Sequence, residues 1–206
     1  FNIEEEERIK KGINEPKKND FGPEYYQAHV PVRQQETVEG HAVRAMYLAS
    51  GMVDVALETE DSTLLNACKK IWDNTVSRKM YVTGGVGSSR YGEAVTFDYD
   101  LPNDTVYAET CASVGLALFA QRMLQCDLNS QYADILELAL YNGVLSGISL
   151  DGKSYFYVNP LEVWPEACNK RNDKEHVKPV RKKWFRCACC PSNLSRLILS
   201  LGQYMY

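Results

Sequence analysis

The chain has 206 residues, of which 45% are hydrophobic and 24% are charged, and a formal net charge of −4. This length allows one domain with a sizeable core, and the composition is ordinary for a globular protein. The acidic balance gives no reason to expect a nucleic-acid partner, and no apolar run approaches the roughly 20 residues that would span a bilayer.

The two chain ends indicate an internal piece of a longer protein. The first residues, Phe1-Asn2-Ile3-Glu4-Glu5-Glu6-Glu7, do not begin with Met and lack the basic and apolar regions of a signal peptide. At the other end the chain stops within a helical pattern, at Gln203-Tyr204-Met205-Tyr206. We therefore expect further helices, and any leader sequence, to lie outside these residues.

The first part of the chain predicts a loop region followed by a helix pair. Charged residues with proline and glycine breakers indicate a short helix and then irregular loop over residues 1–36. Apolar residues recur at helical spacing over residues 39–58 and again over residues 64–72. The connection Thr59-Glu60-Asp61 is so short that the two helices must be antiparallel neighbours.

A glycine-rich segment follows at Tyr81-Val82-Thr83-Gly84-Gly85-Val86-Gly87-Ser88-Ser89-Arg90-Tyr91-Gly92-Glu93. Four glycines within nine positions permit backbone conformations that other residues resist. The segment lacks the lysine of a phosphate-binding loop and does not match the Gly-x-Gly-x-x-Gly pattern. It predicts a structural or active-site loop of unusual shape.

A second helix pair is predicted over residues 108–122 and 130–142. The first helix has no charged residue between Glu109 and Arg122, which is typical of a helix buried on every side. The second has one apolar face, as a surface helix does. Pairing a buried helix with an amphipathic one predicts concentric inner and outer layers.

The last third of the chain predicts irregular structure and then one more helix. Residues 143–184 read as loop and β structure, with a hairpin strand over 154–158 and an exposed excursion over 162–183. A third buried helix is predicted after Pro191, capped by Ser192-Asn193. The alternation of helix hairpins and long loops favours an all-α toroid whose loops and short β-hairpins gather at one end.

The run Arg186-Cys187-Ala188-Cys189-Cys190-Pro191-Ser192-Asn193 holds three of the seven cysteines. Adjacent half-cystines bridge each other only with backbone strain, and seven is odd, so the run favours zinc ligation over disulfides. Glu109 and Cys111 offer two further ligands at the start of the buried helix, although singly they fit a helix-start charge and a small core residue. Spacing alone leaves open which clustered thiols join them. The isolated cysteines are expected to be packing residues: Cys68, Cys126 and Cys168.

Five short runs match a known family in the same order along the chain. They are Glu39-Gly40-His41-Ala42-Val43-Arg44, Thr83-Gly84-Gly85-Val86-Gly87, Gly92-Glu93, Tyr107-Ala108-Glu109-Thr110-Cys111-Ala112-Ser113 and Cys187-Ala188-Cys189-Cys190-Pro191. Together they resemble glycoside hydrolase family 127, whose best-known activity is β-L-arabinofuranosidase. The specific part is Glu-Thr-Cys-Ala followed by Cys-x-Cys-Cys-Pro, whereas the glycine loop alone is weak evidence.

The resemblance implies a catalytic domain with an (α/α)6 barrel. Residues 1–206 would form part of that barrel, and the remaining helices, together with any β-sandwich domains, would lie outside this chain. The resemblance also implies a bound zinc ion, for which it names four ligands: Glu109, Cys111, Cys189 and Cys190.

The resemblance further implies a role for each residue around the sugar. Cys189 would be the nucleophile. A metal-bound cysteine is held as its thiolate, which is the nucleophilic form of the side chain. Glu93 would be the general acid/base, which calls for a carboxyl pKa raised by burial. His41 falls at a position that contacts the sugar, and Tyr157 is expected near the same pocket. Cys187 is expected to pack just outside the site.

These observations favour a zinc-dependent retaining glycosidase that releases β-L-arabinofuranose from the non-reducing ends of oligosaccharides or glycosides. One alternative is another carbohydrate enzyme on the same barrel, an epimerase or an unsaturated-uronide hydrolase, which would not need the cysteine cluster. A second is a structural zinc site in a carbohydrate-recognition or scaffold domain. Neither nucleic acid nor membrane is expected as a partner, the oligomeric state is left open, and reduced thiols predict a cytoplasmic location.

Overall fold

The computed structural model describes residues 21–204, which are mainly helical. The α-helices are α1 (Gly22–Tyr25), α2 (Ala42–Glu58), α3 (Ser62–Asn74), α4 (Thr110–Cys126), α5 (Ser130–Leu138) and α6 (Cys189–Leu199). Shorter 3-10 or π-helical segments lie at Val32–Gln34, Thr75–Lys79, Tyr91–Glu93, Ala139–Val144, Leu145–Gly147, Asn172–Lys174 and Leu201–Tyr204. Within residues 21–204 no helix has the length and apolar character needed to cross a membrane. The short helix predicted near the start of the chain lies outside the described residues.

The first helix pair, α2 and α3, forms where the sequence predicts it. Asp61 is the N-cap of α3, and its carboxylate accepts the backbone N–H groups of Thr63 and Leu64. These bonds satisfy two of the donors that the start of a helix leaves without an intrahelical partner. α2 begins at Ala42, so His41 stands just outside the helix in an extended conformation.

α4 is the central helix of the described fold, and the prediction that it is enclosed on every side is confirmed. Its buried side chains include Cys111, Val114, Leu116, Phe119 and Met123. α2, α5 and α6 pack against it. Gly115 allows α2 to approach closely, because a Cβ at that position would lie 2.7 Å from the Cβ of Met46.

An aromatic cluster joins α3, α4 and α5. The ring of Trp72 meets the edge of Phe119 at a centroid distance of 5.4 Å and that of Tyr132 at 4.9 Å. All three rings are buried. Edge-to-face pairs contribute roughly 0.5–1.5 kcal/mol beyond the area they bury. The cluster therefore ties the first helix pair to the second.

The outer helix predicted over residues 130–142 consists of two segments. α5 ends at Leu138 and continues directly as the π-helix Ala139–Val144. Within the π-helix, Gly143 lies directly against Ser113 of α4. A side chain at Gly143 would collide with that serine, so the glycine lets the π-helical turn lie close to the central helix.

The start of α6 differs from the prediction. α6 begins at Cys189, two residues before Pro191. Proline is tolerated in a first helical turn because the N–H that it lacks would have no intrahelical partner there. Ser192 and Asn193 are therefore not caps. The Ser192 hydroxyl donates to the carbonyls of Ala188 and Cys189, and the amide oxygen of Asn193 accepts from Tyr47.

The hairpin strand predicted around Tyr155 is reduced to isolated β-bridges. Tyr155 pairs with Ile148 and with Lys182, and Val158 pairs with Glu109. Residues 21–204 contain no longer ladder. The bridge between Val158 and Glu109 nonetheless matters for the site, since it attaches this irregular segment to the backbone immediately before α4.

The excursion predicted over residues 162–183 is only partly exposed. Lys174 is buried, and its ammonium group pairs with the carboxylate of Asp104. Cys168 and Val177 are buried as well. The prediction of an exposed excursion is wrong for these three residues, because the ion pair compensates the buried lysine and lets its apolar neighbours pack against the body of the protein.

The glycines at positions 143 and 51 provide a matched test of this packing. A Cβ at Gly143 would lie 2.3 Å from Oγ of Ser113, so Gly143→Ala is expected to lower the free energy of unfolding by about 1–3 kcal/mol. Nothing lies within 4 Å of a Cβ at Gly51 in α2, so Gly51→Ala is expected to raise it by about 0.5–1 kcal/mol. Urea unfolding of the two variants measures both changes, and shifts of the same sign would contradict the packing described.

Candidate active site

Four side chains with metal-ligand chemistry meet where the N-terminal ends of α4 and α6 come together: Glu109, Cys111, Cys189 and Cys190. One ligand atom from each lies within 4.8 Å of the others. The sulfur of Cys189 is 3.3 Å from Oε1 of Glu109, and the sulfurs of Cys111 and Cys190 are 3.5 Å apart. The structure thus brings the predicted ligand set to one point, where it could hold a metal ion.

The backbone before α4 fixes the position of Glu109. This residue is the extended N-cap of α4 and forms a bridge with Val158. The N–H of the next residue, Thr110, donates to the carbonyl of Tyr157. Because these contacts restrain the chain on both sides of Glu109, its carboxylate lies in the cluster, and the residue is only 3% exposed.

Cys189 and Cys190 are the first two residues of α6, and they have different surroundings. Neighbouring residues of an α-helix are rotated by about 100°, so their side chains leave the helix in different directions. Cys190 is fully buried, whereas Cys189 is partly exposed. Cys187 precedes the helix and is exposed, so the expectation that it is a packing residue is wrong. Of the isolated thiols, Cys68 and Cys168 are buried as predicted, and Cys126 is partly buried.

Burial has the largest effect on the pKa of Glu109. It raises the pKa of the carboxyl to about 8, and the negative charge of Cys189 adds to the effect. Oε2 of Glu109 is buried without a hydrogen-bond partner. A buried carboxylate oxygen that lacks a donor is costly, and a cation bound to the cluster would remove that cost. This orphaned oxygen fits a metal site.

The three thiols of the cluster are close enough to hydrogen-bond with one another, and these contacts have opposite effects on the pKa values of Cys189 and Cys190. Contacts from Cys111 and Cys190 hold the pKa of Cys189 well below its usual range, whereas contacts with Cys111 and Cys189 raise the pKa of Cys190. The hydroxyl of Tyr157 lies 3.3 Å from the Cys189 sulfur and also lowers the pKa of that thiol. Cys189 is therefore the cluster thiol best suited to be a reactive thiolate.

The glycine-rich segment ends at Glu93, which lies beside His41. Gly92 and Glu93 have φ values of 67° and 50°, a conformation that favours glycine and is uncommon for glutamate. Oε2 of Glu93 is 3.0 Å from Nε2 of His41, and Oε1 accepts a 2.8 Å hydrogen bond from the hydroxyl of Tyr107. Both carboxylate oxygens therefore have a partner.

The protonation of Glu93 differs from the expectation. The hydrogen bond from His41 is the largest cause and lowers the pKa of Glu93; burial opposes it, and the bond from Tyr107 reinforces it. Hydrogen bonds to the charged form favour ionisation, and here two of them outweigh burial. The expectation of a raised pKa is wrong because it considered burial without these two donors.

Tyr107 and His176 were not predicted to belong to the site. Tyr107 is buried and hydrogen-bonds directly to Glu93. The ring of His176 stacks on Tyr107 at a centroid distance of 5.7 Å. Tyr107 lies two residues before Glu109 in one of the family-like runs, and this position could have indicated that it belongs to the site. No such signal existed for His176, which lies in the segment predicted to be exposed.

The comparison with known proteins settles the family. Residues 6–203 match the family described as beta-L-arabinofuranosidase, GH127 catalytic domain. The chain belongs to glycoside hydrolase family 127. It is 51% identical over 186 residues to a non-reducing end beta-L-arabinofuranosidase of Bifidobacterium longum subsp. longum, a match that covers 90% of this chain and 28% of that protein.

Solved structures of the family share the fold of this chain. The GH127 beta-L-arabinofuranosidase of Geobacillus stearothermophilus T6 matches with a TM-score of 0.92 at 56% identity, covering 98% of this chain and 32% of that one. Another GH127 beta-arabinofuranosidase matches with a TM-score of 0.81 at 49% identity, covering 89% and 27%. The prediction of a partial (α/α)6 barrel is confirmed. The chain spans about a third or less of the length of these relatives.

Thiol labelling distinguishes the cluster from its surroundings. In the full-length protein, iodoacetamide is expected to modify the exposed Cys187 whether or not a chelator is present. Cys189 is expected to react only after chelation, because a metal ligand is shielded from alkylation. Cys68 serves as the unreactive control, since it is fully buried and burial raises its pKa to about 12. Fragment masses of the peptide that contains both reactive cysteines assign each adduct, and equal labelling of Cys189 before and after chelation would contradict a metal site.

Proposed function

We propose that the full-length protein is a retaining glycoside hydrolase that releases β-L-arabinofuranose from the non-reducing ends of oligosaccharides or glycosides. The observation that carries this proposal is the proximity of a thiolate-forming cysteine, Cys189, to a loop carboxyl group, Glu93. Cys189 lies 3.3 Å from the hydroxyl of Tyr157, Glu93 accepts a hydrogen bond from Tyr107, and the rings of the two tyrosines are 6.2 Å apart, which supports placing both groups in one site. The name of the Bifidobacterium relative, a non-reducing end beta-L-arabinofuranosidase, supports both the choice of sugar and its release from the non-reducing end.

In the first step the sulfur of Cys189 attacks the anomeric carbon. The C–S bond forms while the C–O bond to the leaving group breaks, and the leaving oxygen receives a proton from Glu93. The lowered pKa of Glu93 requires a source for this proton. We assign it to the pair formed by Glu93 and His41, whose Oε2 and Nε2 atoms are 3.0 Å apart and can share one proton.

In the second step water replaces the sulfur. Glu93, now a carboxylate, takes a proton from the water, and the oxygen of that water bonds to the anomeric carbon. The C–S bond breaks, and Cys189 leaves as a thiolate. Two successive displacements at one carbon restore its original configuration, which makes the reaction retaining. Tyr157, whose hydroxyl contacts the Cys189 sulfur, is proposed to line the same sugar pocket.

Zinc suits the donor set better than other common metals. Three sulfurs and one carboxylate oxygen match its ligand preference, and the proposed ligands are Glu109, Cys111, Cys189 and Cys190. With Zn–S bonds of about 2.3 Å, tetrahedral geometry separates two sulfur ligands by about 3.8 Å. The observed sulfur separations of 3.5 and 3.8 Å support this assignment. Bound zinc would hold Cys189 deprotonated and make its sulfur a better leaving group.

The nucleophile is tested by comparing two neighbouring cysteines. In the full-length enzyme, Cys189→Ala is expected to reduce hydrolysis of an aryl β-L-arabinofuranoside by at least about 1000-fold, because the variant lacks the sulfur that forms the covalent intermediate. Cys187→Ala is the matched control and is expected to stay within about threefold of wild type. Acid quenching during turnover should add the mass of one pentosyl unit to the peptide containing Cys189. Full activity of Cys189→Ser would instead favour a different carbohydrate enzyme.

Metal analysis tests the cluster independently of turnover. Full-length protein purified without chelator is expected to contain about one zinc per chain by elemental analysis. Cys190→Ala should lose most of the zinc, because it removes one of four ligands from a buried site. Cys126→Ala should retain it. A protein that contains no zinc would overturn this assignment, and one that keeps full activity after losing its zinc would indicate a metal that is only structural.

A further inference from the structure

A row of aromatic rings runs outward from His41, the partner of Glu93. The rings of His41 and Tyr25 meet edge-on at a centroid distance of 5.5 Å, and Tyr25 stacks on Phe21 at 4.3 Å. The ring of Phe21 in turn meets the ring of Tyr91 edge-on at 5.2 Å. We call these four residues the aromatic platform: His41, Tyr25, Phe21 and Tyr91.

The aromatic platform curls around the loop that carries Glu93. Tyr91 lies two residues before Glu93, in the same short helical segment. Between them, Gly92 lies against the platform, since a Cβ at this position would be 3.4 Å from ring carbons of both Phe21 and Tyr25. The Cα atoms of Tyr91 and Glu93 are within about 7 Å of each other, because two residues span no more than that. This is roughly the width of one sugar ring.

Tyr91 is the exposed end of the aromatic platform. It is 73% exposed, whereas Phe21 and Tyr25 are only partly exposed. The guanidinium of Arg44 lies 4.8 Å from the ring centre of Tyr25 and covers that ring further. A single exposed ring on a protein surface is ordinary, but this ring continues a row that begins at the candidate site.

The loop backbone holds Tyr91 in place. Its N–H donates to Oγ of Ser89 at 3.0 Å. The guanidinium of the next residue, Arg90, pairs with Glu175 at 2.7 Å and donates to the carbonyl of Asn172. A surface that is already held in position before its ligand arrives loses less conformational freedom on binding.

The proposed reaction places the leaving group on the side of Glu93. In a displacement at the anomeric carbon, the nucleophile and the leaving group lie on opposite sides of that carbon. The leaving oxygen must come within hydrogen-bond distance of Glu93 to receive its proton. The group attached to this oxygen therefore lies beside the loop that carries both Glu93 and Tyr91.

We propose that Tyr91 determines specificity for the leaving group by stacking against its first sugar ring. This inference rests on the proposed function. A sugar ring has an apolar face of C–H groups, and its hydroxyl groups point outward from the rim. The negative face of an aromatic ring attracts such C–H groups, and the contact removes apolar surface from water. Stacking selects for a ring of this kind without requiring one pattern of hydroxyl groups.

The proposal predicts an effect that depends on the leaving group. The two substrates are a disaccharide with β-L-arabinofuranose at its non-reducing end and methyl β-L-arabinofuranoside, whose methanol leaving group has no ring to stack. Both rates are measured with the full-length, metal-loaded enzyme. Tyr91→Ala is expected to lower the ratio of the first kcat/KM to the second about 5- to 20-fold, which corresponds to losing roughly 40–70 Å² of apolar contact.

Two further variants show whether the ring of Tyr91 is responsible. Tyr91→Phe keeps the ring and is expected to hold the ratio within about twofold of wild type. Phe97→Ala removes another exposed aromatic side chain, four positions after Glu93 and outside the aromatic platform, and should leave the ratio unchanged. Circular dichroism verifies the fold of all three variants.

The possible results separate this inference from the proposed function. If wild type hydrolyses neither substrate, the proposed function is wrong and the inference falls with it. If wild type is active but Tyr91→Ala leaves the ratio unchanged, or Phe97→Ala lowers it as much, Tyr91 does not bind the leaving sugar and the inference is overturned. A lowered ratio that Tyr91→Phe restores supports it.

Discussion

The contact between two helix ends is the constraint on which the site depends. Both α4 and α6 direct their N-terminal ends at the same point, and partial positive charge at a helix N-terminus favours anions there by roughly 0.3–1 kcal/mol. That contribution is small beside the repulsion among a carboxylate and three potential thiolates. The raised pKa of Glu109 reflects this repulsion together with burial, since burial and the charge of Cys189 both oppose its ionisation. A bound divalent cation would offset this repulsion, and the four side chains could hold one.

The central position of α4 allows this arrangement. A helix that is apolar on all sides can be enclosed by three others, and Gly115 brings α2 close to it. The residues just before α4 are then fixed by one bridge and by backbone hydrogen bonds from the irregular segment over residues 157–159. Glu109 and Tyr107 lie on this fixed stretch, so the metal-ligand cluster and the support for Glu93 share one short piece of backbone.

The parts of the site that could be predicted are those formed by residues close together in the sequence. Glu109 and Cys111 lie two residues apart, and Cys189 and Cys190 are adjacent, so each half of the cluster is visible within one short run. The helix pairs followed from apolar periodicity in the same way. What could not be predicted involves contacts between distant residues. The lowered pKa of Glu93 depends on His41, which is 52 positions away, and the burial of Lys174 depends on Asp104.

The left-handed backbone at Gly92 and Glu93 places the two halves of the site on different kinds of backbone, a tight loop and a helix. The sulfur of Cys189 belongs to a helix packed against the core, whereas the carboxyl group of Glu93 stands on a tight loop held by a few hydrogen bonds. In the proposed reaction, a nucleophile on this helix would keep the anomeric carbon in one place. Glu93, on the loop, would act at the bond to the leaving group, which is the part that varies from one substrate to the next. Such a division of labour lets an enzyme keep one sugar specificity while it accepts leaving groups of different size and shape.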